Sequence, residues 1–256
     1  MHIKLDITKS VYENAAIYYE GAKKTRAKID RVVEAISETK KEIERIKKEQ
    51  TISQKNQFQK IKIARKKAWY EKFHYFFTSD GKLAIGGKSA DQNDFIYKNY
   101  FDERDLFFHA DIQGGAVCVL KEGINGHEIE LREVAQFAAS FSNAWKNKSA
   151  AVDVYCVKKS QVSKHAQGGF IQKGAFAILG ERTWFRKIPL QLKIGIENGF
   201  AIVLPVICKR KIDKEIIIVP GTHEKGKVVK KISNALGVHP DDIQNILPSG
   251  EMHYLS

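Results

Sequence analysis

The sequence of 256 residues has few of the residues that interrupt helices, cross-link secreted folds or span membranes. All five prolines follow residue 188 and no glycine lies between Gly21 and Gly81, so an N-terminal helix meets no breaker. Three widely spaced cysteines, Cys118, Cys156 and Cys208, exclude a disulfide framework and indicate buried thiols in a reducing cytoplasm. No apolar run approaches the roughly 20 residues that cross a bilayer, which excludes a membrane-spanning helix.

Most catalytic sequence motifs are also missing. The sequence has no Walker A loop, no GxSxG, no HExxH and no GxGxxG that follows a strand. These absences exclude the commonest nucleotide hydrolases, serine hydrolases, zinc proteases and dinucleotide-dependent enzymes. We therefore expect that this protein is not an enzyme and that it needs neither a cofactor nor a metal ion.

Positive charge is abundant and unevenly distributed. The formal net charge is +13, and residues 1–72 contain 19 Lys and Arg against 10 Asp and Glu, whereas the other 184 residues contain 24 against 20. A basic excess on this scale attracts polyanions, of which nucleic acid is the commonest, so the charge predicts a nucleic-acid partner. The alternative is a solvated basic helix that has no partner.

The N-terminal quarter has the heptad pattern of a coiled-coil arm. In heptads counted from Thr8, the a and d positions are strongly apolar between Ile29 and Ile46, with Glu and Lys on the flanks. Such a stripe needs a returning helix or a second chain to cover it. The weak helix formers at residues 51–53 predict a reversal of the chain, after which residues 55–72 form a basic junction helix.

The predicted junction helix places cations beside an aromatic side chain. At helical spacing Lys62, Arg65 and Lys66 share a face with Trp69, and Lys67 follows directly. Lys and Arg beside an exposed aromatic ring suit a phosphate backbone with a base to stack on, so these four cations are candidate nucleic-acid contacts. The alternative for Trp69 is core packing where the helix meets the next domain.

From residue 73 onward, strand patterns outnumber helix patterns. A turn at residues 79–81 joins the first two predicted strands. Ser89 is the predicted N-cap of the helix over residues 89–100. The predicted strands cover residues 73–78, 82–85, 105–109, 116–120, 151–157, 176–179, 190–197, 200–204 and 215–219, and the predicted helices cover 89–100, 130–145, 227–236 and 241–247. Grouped strands with few helices between them favour an α+β fold with a mixed or antiparallel sheet. The predicted domains are the helical coiled-coil arm with its junction helix, residues 1–72, and the α+β domain, residues 73–256.

The most unusual cluster in the second domain surrounds His109. If residues 105–111 form a strand, His109 and Asp111 point to one face with Asp105 and Phe107, and the alternate residues point to the other. The pair His109 and Asp111 suits a general base with its orienting carboxylate, two metal ligands, a contact to RNA or a ribose hydroxyl, or a structural hydrogen bond. No nucleophile and no third metal ligand can be placed from the sequence, so these alternatives stay open.

Two further segments have the composition of binding loops. Gly86-Gly87 lies between a strand and a helix start, where backbone amides can receive a phosphate or form a plain tight turn. The polar residues 161–169 lie between two strands and form either a binding loop or a solvated hairpin.

Together these segments resemble the NFACT family, which includes the eukaryotic nuclear export mediator factor, bacterial RqcH and fibronectin-binding-like proteins. Residues 64–73 are similar to the family's junction between coiled coil and RNA-binding domain, and residues 105–111 with Gly114 resemble its DIYVHADLHGA motif. Three further motifs of the family are similar to Gly86-Gly87-Lys88 with Asn93, to Gln161-Val162-Ser163-Lys164, and to Gly174, Phe176, Ile178 and Gly180. The resemblance extends over nearly the whole chain.

The resemblance implies an RNA-binding domain that acts in ribosome-associated quality control. Family members bind large ribosomal subunits obstructed by peptidyl-tRNA, hold tRNA there and support extension of the nascent chain without a template. The implied partners are therefore tRNA and the RNA of the large ribosomal subunit, and the implied location is the cytoplasm. The residues that the resemblance places on the RNA-facing or structural signature surface are Lys88, Asn93, His109, Asp111, Gln161 and Lys164.

The sequence departs from the family pattern in two respects. The large N-terminal domain, which contains the family's Asp-Arg motif of tail synthesis, has no counterpart here, so we expect no tailing by this chain alone. Lys88, Ser89, Gln113 and Gly115 replace a family Arg, Asp, His and Ala, and lysine loses bidentate phosphate recognition. Either the missing domain is a separate polypeptide that docks on this chain, or the protein is a reduced RNA-binding relative. The uncovered apolar stripe favours a docking partner, and we expect the separate N-terminal-domain polypeptide or a homodimer through the coiled coil to cover the arm.

Two alternatives belong to other functional classes. An RNA-modifying enzyme would use His109 and Asp111 for its chemistry. A coiled-coil scaffold would bind a protein partner through the stripe at residues 29–46, and its basic charge would be incidental.

Overall fold

The computed structural model describes residues 3–59, 67–165 and 171–255, and for residues 48–59 it describes the backbone alone. The described chain falls into two units, one up to residue 59 and the other from residue 67 onward. The fold class is α+β, as predicted, with a long N-terminal helix followed by antiparallel sheets. No helix in the described ranges combines the length and the apolar character needed to cross a bilayer.

The first unit is one long helix with a well-defined start. Helix α1, Val11–Gln59, contains 49 residues, so at 1.5 Å per residue it is about 75 Å long. A capping box begins it: the Glu13 N–H donates to Ser10 Oγ at 3.3 Å, and the Ser10 N–H donates to the Glu13 carboxylate at 2.7 Å. Asn14 Oδ1 accepts from the Asp6 N–H at 2.8 Å and so holds the preceding segment on the first turns.

The predicted chain reversal at residues 51–53 is wrong, because α1 continues through them to Gln59. Thr and Ile lower helix propensity only slightly, and neither Gly nor Pro occurs here to end the helix. The predicted apolar stripe is exposed, with Ile29, Ile36 and Ile46 at 56%, 50% and 43%. The coiled coil stays a prediction. The predicted junction helix lies partly outside the described residues, and its last residues, Trp69–Lys72, form a 3₁₀ turn.

The second unit contains twelve strands and five helices in its described residues. In chain order the strands are β1 His74–Phe77, β2 Leu83–Gly86, β3 Leu106–Ala110, β4 Cys118–Leu120, β5 Ala151–Lys158, β6 Val162–Ser163, β7 Ala177–Ile178, β8 Thr183–Pro189, β9 Leu192–Glu197, β10 Phe200–Pro205, β11 Asp213–His223 and β12 Met252–Leu255. The helices are α2 Ala90–Asn99, α3 Glu128–Ser140, α4 Asn143–Lys146, α5 Lys225–Leu236 and α6 Pro240–Ile246.

These strands form two sheets and one short pair. The larger sheet has the order β1-β2-β4-β3-β5-β8, and the smaller has the order β10-β9-β11-β12. Strands β6 and β7 pair with each other. Every strand pair in the described ranges is antiparallel, as expected when hairpins rather than crossover helices join the strands.

Alternation along the larger sheet creates a hydrophobic core on each face. On β3, Phe108 and Ala110 belong to the main core, which also contains residues of α3, α5 and the smaller sheet. Phe107 belongs to the second core, together with Ile96 of α2 and Val162 of β6. The predicted alternation along this strand is therefore confirmed for its buried residues.

Several element boundaries differ from prediction. The helix expected over residues 130–145 is divided into α3 and α4, because Ser142 begins a new helix by accepting the Ala144 N–H on its Oγ at 3.2 Å. Strands β6, β8 and β12 were not predicted. Strand β11 is longer than expected and passes through Pro220, where its register to β12 shifts.

Candidate nucleic-acid interface

Four strand ends of the larger sheet meet at one cavity. His74 pairs with Gly86, Gly86 with Cys118, and Cys118 with Phe108, so β1 and β4 begin where β2 and β3 end. The cavity at this end of the sheet has a volume of about 480 Å³. Its walls are the N-terminal end of α2, the β3–β4 turn, the α3–α4 connection and the segment before β7.

The segment before β7 is fixed against α2. Gly174 has φ +77°, and a Cβ there would lie 2.6 Å from Ala90 Cα, so this close approach requires glycine. The Gly174 N–H donates to the Asp94 carboxylate at 3.1 Å. The Lys164 ammonium pairs with the same carboxylate and donates to the Ala175 carbonyl at 2.8 Å. Lys164, a predicted RNA contact, therefore holds a wall of the cavity.

Three lysines and no carboxylate line the cavity in the described part of the chain, and the lysines are Lys88, Lys146 and Lys173. Lys173 pairs with Asp91. Among the described residues no carboxylate lies within ion-pair distance of Lys88 or Lys146. The lining therefore has an uncompensated positive charge, which suits an anionic ligand.

Lys225, near the start of α5, adds a further charge close to Lys88. Its Nζ donates to the Leu247 carbonyl at 3.0 Å. Burial, together with repulsion from Lys88, lowers the pKa of Lys225 to about 8. Burial and repulsion from Lys67 also lower the pKa of Lys88. These ammonium groups thus repel one another in the folded chain.

His74 lines the cavity at the start of β1. Its imidazole stacks on the ring of Phe141, with centroids 4.0 Å apart. Its Nδ1 is buried and has no hydrogen-bond partner among the described residues. Burial, reinforced by the charges of Lys88 and Lys225, holds the pKa of His74 well below 6.5, so the ring is neutral at neutral pH.

His109, the central predicted residue, lines the same cavity. Its ring lies against Gly115, where a Cβ would be 3.0 Å from Nε2. The rings of Tyr155 and Phe107 flank it at centroid distances of 5.9 and 6.4 Å. Burial lowers the pKa of His109, and backbone hydrogen bonds and the charge of Asp111 offset part of this shift.

Asp111 is exposed and does not line the cavity. Its backbone N–H donates to the Asp153 carbonyl at 2.8 Å. No side-chain hydrogen bond joins Asp111 to His109 in the described structure. The pair therefore does not have the contact that a general base makes with an orienting carboxylate.

Asn93 and Gln161 form hydrogen bonds within the domain. Asn93 is buried, and its Oδ1 accepts from the Val117 N–H at 3.3 Å. The Gly87 N–H donates to the Val117 carbonyl at 3.0 Å, so the amide expected to receive a phosphate is already occupied. Gln161 Nε2 donates to two carbonyls in the segment after β7, at 3.1 and 2.6 Å.

The structure brings only some of the predicted contacts together. Lys88, Asn93 and His109 lie around the cavity, and Lys67 is exposed. Trp69 stacks on Tyr100 with centroids 4.4 Å apart and remains 44% exposed, so both of its predicted roles stay open. The candidate cations that lie outside the described residues are Lys62, Arg65 and Lys66.

Several residues of the cavity region were not predicted from the sequence, among them His74, Phe141, Lys146 and Lys225. None of these four belongs to a local motif, and each reaches the region through tertiary structure alone. For His74 and Lys225 the only available signal is a polar residue next to an apolar pattern, which is common at the start of strands and helices.

One group of side chains outside the cavity has the chemistry of metal ligands. Asp80, His127 and Glu130 have ligand atoms within 4.8 Å of one another. Glu130 is buried and pairs with Lys82 at 2.5 Å, and His127 Nδ1 lies 2.7 Å from Asp80. Since Lys82 already supplies a cation to Glu130, the group is explained as an ion-pair network.

The part of the chain that contains the cavity matches a known domain family. Residues 72–180 match the family described as NFACT protein RNA binding domain. A relative from Methanocaldococcus jannaschii, described as archaeal Rqc2 homolog aRqcH, is 41% identical over 201 residues, which are 75% of this chain and 30% of the relative. The human ribosome quality control complex subunit NEMF is 33% identical over 195 residues, which are 75% of this chain and 18% of that protein.

This chain therefore spans less than a third of the length of either relative. A solved structure, the C-terminal part of the fibronectin/fibrinogen-binding protein from Streptococcus suis, aligns with 49% of this chain and 49% of its own at 24% identity and a TM-score of 0.40. The matched region extends from β1 to β7 and contains the family motifs at Lys88, His109 and Gln161. The domain match and the identity to the archaeal relative show that the chain belongs to the NFACT family, and that its second unit contains the RNA-binding domain of that family.

Proposed function

We propose that this chain is an RNA-binding module of ribosome-associated quality control, which binds tRNA and the RNA of the large ribosomal subunit after stalling. The observation that carries the proposal is the cavity in the matched domain, because lysines line it and no carboxylate of the described chain does. Phosphate groups are the natural ligands of such a surface. The human relative is named as a ribosome quality control complex subunit and the archaeal relative as an Rqc2 homolog, which supports the cellular process and a cytoplasmic location.

The proposed function is binding without catalysis. In support, His109 is half-buried with a lowered pKa, and it has no side-chain hydrogen bond to Asp111 in the described structure. An RNA-modifying enzyme would instead lose turnover in His109→Ala while its RNA affinity stayed within a few-fold. Detection of turnover that this variant abolishes would contradict our proposal.

The arm is proposed to bind a protein partner, either a separate N-terminal-domain polypeptide or a second copy of this chain. The exposed apolar side chains along residues 29–46 support such a contact, since an amphipathic helix gains stability by covering its apolar stripe. Sedimentation equilibrium of the chain alone distinguishes the two partners: a dimer at micromolar concentration favours the second copy, and a monomer favours the separate polypeptide.

The proposal is tested by co-sedimentation of the purified chain with large ribosomal subunits, with and without peptidyl-tRNA, over a series of salt concentrations. We expect preferential binding to the subunit that holds peptidyl-tRNA. If four to six cations of residues 55–72 contact phosphates, log K falls against log salt with a slope of about −3 to −4. The triple variant Lys62→Glu, Arg65→Glu, Lys66→Glu should lose at least half of that slope. Equal, weak binding to every RNA would contradict the proposed role.

A further inference from the structure

One residue that lines the cavity has a buried polar atom for which the described part of the chain provides no partner. Buried nitrogen atoms almost always form hydrogen bonds, and an exception in a native protein needs an explanation. His74 Nδ1 is such an exception among the described residues, and the His74 ring lines the cavity. A ligand in the cavity would lie against this imidazole.

Among the described residues, the charged side chains that line the cavity are all lysines. Asp91 pairs with the lining residue Lys173, and Asp94 pairs with Lys164. Lys88 and Lys146 contribute ammonium groups to the lining. The N-terminal end of α2, a helix of ten residues, also faces the cavity through Ser89, and the positive end of a helix dipole favours an anion. A phosphate group matches both features.

The lining also contains aromatic rings and side-chain amides. Phe141 and Tyr155 offer ring surfaces, and Gln113 and Gln172 offer amide groups. Aromatic rings stack on unstacked bases, and amides bond to base edges, which is how proteins recognise single-stranded RNA. The volume of about 480 Å³ lies within the usual range for small-ligand sites.

We propose that this cavity binds one nucleoside monophosphate unit, with its phosphate at Lys88, Lys146 and the start of α2 and its base against the aromatic lining. This inference deepens the proposed function and rests on it, since the natural source would be an unstacked nucleotide of the bound RNA. A free nucleotide has the same chemistry, and the experiment distinguishes the two sources.

The experiment titrates the full chain with AMP, CMP, GMP and UMP, with adenosine, with inorganic phosphate and with single-stranded RNA trinucleotides. Calorimetry gives the affinities, and NMR of the imidazole nitrogens of His74 and His109 reports whether the ligand enters the cavity. The test variant is Lys88→Ala. Lys98→Ala is the matched control, because it removes an exposed lysine from the other end of α2.

We expect that nucleotides bind and shift the His74 and His109 resonances. Adenosine and inorganic phosphate should each bind at least tenfold more weakly than the nucleotides. Lys88→Ala should weaken nucleotide binding at least fivefold. Lys98→Ala should remain within twofold of the wild type. Tighter binding of the trinucleotide, in competition with monophosphates, identifies RNA as the source, and equal or tighter binding of a monophosphate identifies the free nucleotide. Unmoved histidine resonances, or an equal loss in Lys88→Ala and Lys98→Ala, would overturn the proposal.

Co-sedimentation of the same variants with large ribosomal subunits separates this inference from the proposed function. If no nucleotide enters the cavity while subunits still bind, only the cavity proposal fails. If nucleotides enter the cavity but the chain does not bind large ribosomal subunits, the proposed function fails and the cavity remains a nucleotide site.

Discussion

The imidazole of His74 stacks on the ring of Phe141, with centroids 4.0 Å apart, where four strand ends of the larger sheet meet. The stack fixes the ring but leaves Nδ1 buried without a partner among the described residues. An unpaired buried nitrogen costs about 1–3 kcal/mol of stability, which an apolar side chain of the same shape would avoid. The fold therefore keeps, at the cavity, a histidine whose unpaired nitrogen lowers the free energy of unfolding.

The first prediction concerns this cost. We expect His74→Phe to be as stable as the wild type or more stable at pH 7, because phenylalanine keeps the stack and removes the unpaired nitrogen. The folded pKa of His74 is well below 6.5, so the unfolded chain takes up the proton first as the pH falls below about 6.5. The stability associated with neutral His74 is thus complete above that pH and is lost below it, by at most about 1.4 kcal/mol per pH unit.

Urea denaturation of both proteins at pH 7 and pH 5 measures the effect. The free energy of unfolding should fall less in His74→Phe than in the wild type between these two pH values. An identical fall in both proteins would show that His74 is not held neutral by the fold.

The second prediction compares two carboxylates that share one ammonium group. Lys121 Nζ lies 2.8 Å from Asp102 and 2.5 Å from Asp105, whose side chains are 73% and 1% exposed. Asp105 also accepts the N–H groups of Asp102 and Glu122 at 2.8 and 3.0 Å. We expect Asp105→Ala to lower the free energy of unfolding by about 2–4 kcal/mol, because Lys121 and two backbone donors lose a buried partner.

Asp102→Ala is the matched control for Asp105→Ala. It removes an exposed ion pair with the same lysine, so the expected loss is about 1 kcal/mol or less. Urea denaturation of the two variants gives the comparison. An equal decrease in the free energy of unfolding of both variants would show that burial does not determine how much these contacts stabilise the fold.

The parts of the fold that depend on local chemistry were predictable from the sequence. Ser89 was expected as a helix N-cap, and its Oγ accepts the Gln92 N–H at 3.3 Å at the start of α2. The turn at residues 79–81 joins β1 and β2, with Gly81 at φ +88°. Both features need only neighbouring residues, and this is why the sequence contains enough information to place them.

Strand β8 shows why other elements were missed. Its buried residues, Phe185 and Ile188, are three positions apart, so the period of two that indicates a strand is broken. Lys187 causes the break: it has φ +51°, and the register with β5 shifts beside it. Its N–H donates to Asp153 at 2.8 Å, a contact that depends on a strand distant in sequence. A bulge fixed by tertiary contacts has no clear local signal.

The candidate site likewise combines features set by neighbouring residues with features set by tertiary contacts. The motifs around Lys88 and His109 could be identified in the sequence, and both residues line the cavity. The sequence could not show that His74 and Lys225 lie close enough to Lys88 for its charge to lower the pKa of each, because only the folded chain brings these elements together. Nor could it show that Lys164 is already paired with Asp94.

The last prediction concerns the pH dependence of nucleotide binding. Lys225 has a pKa of about 8, lowered from 10.5 by burial and by repulsion from Lys88, so it loses most of its charge between pH 7 and pH 9. A bound phosphate would favour the charged form, and binding would therefore take up a proton in this range. Since the charged fraction of Lys225 falls about tenfold over these two pH units, we expect monophosphate affinity to weaken by up to about tenfold.

Calorimetry in two buffers of different ionisation enthalpy measures both the affinity and the proton uptake. Lys225→Arg is the control, because a guanidinium remains charged throughout this range and should make the affinity nearly independent of pH. The folding equilibrium should show the opposite trend. The unfolded chain holds its proton up to about pH 10.5, so the contribution of Lys225 to stability rises as the pH increases above 8. Affinity that is constant from pH 7 to pH 9 in the wild type would show that Lys225 does not act on the bound phosphate.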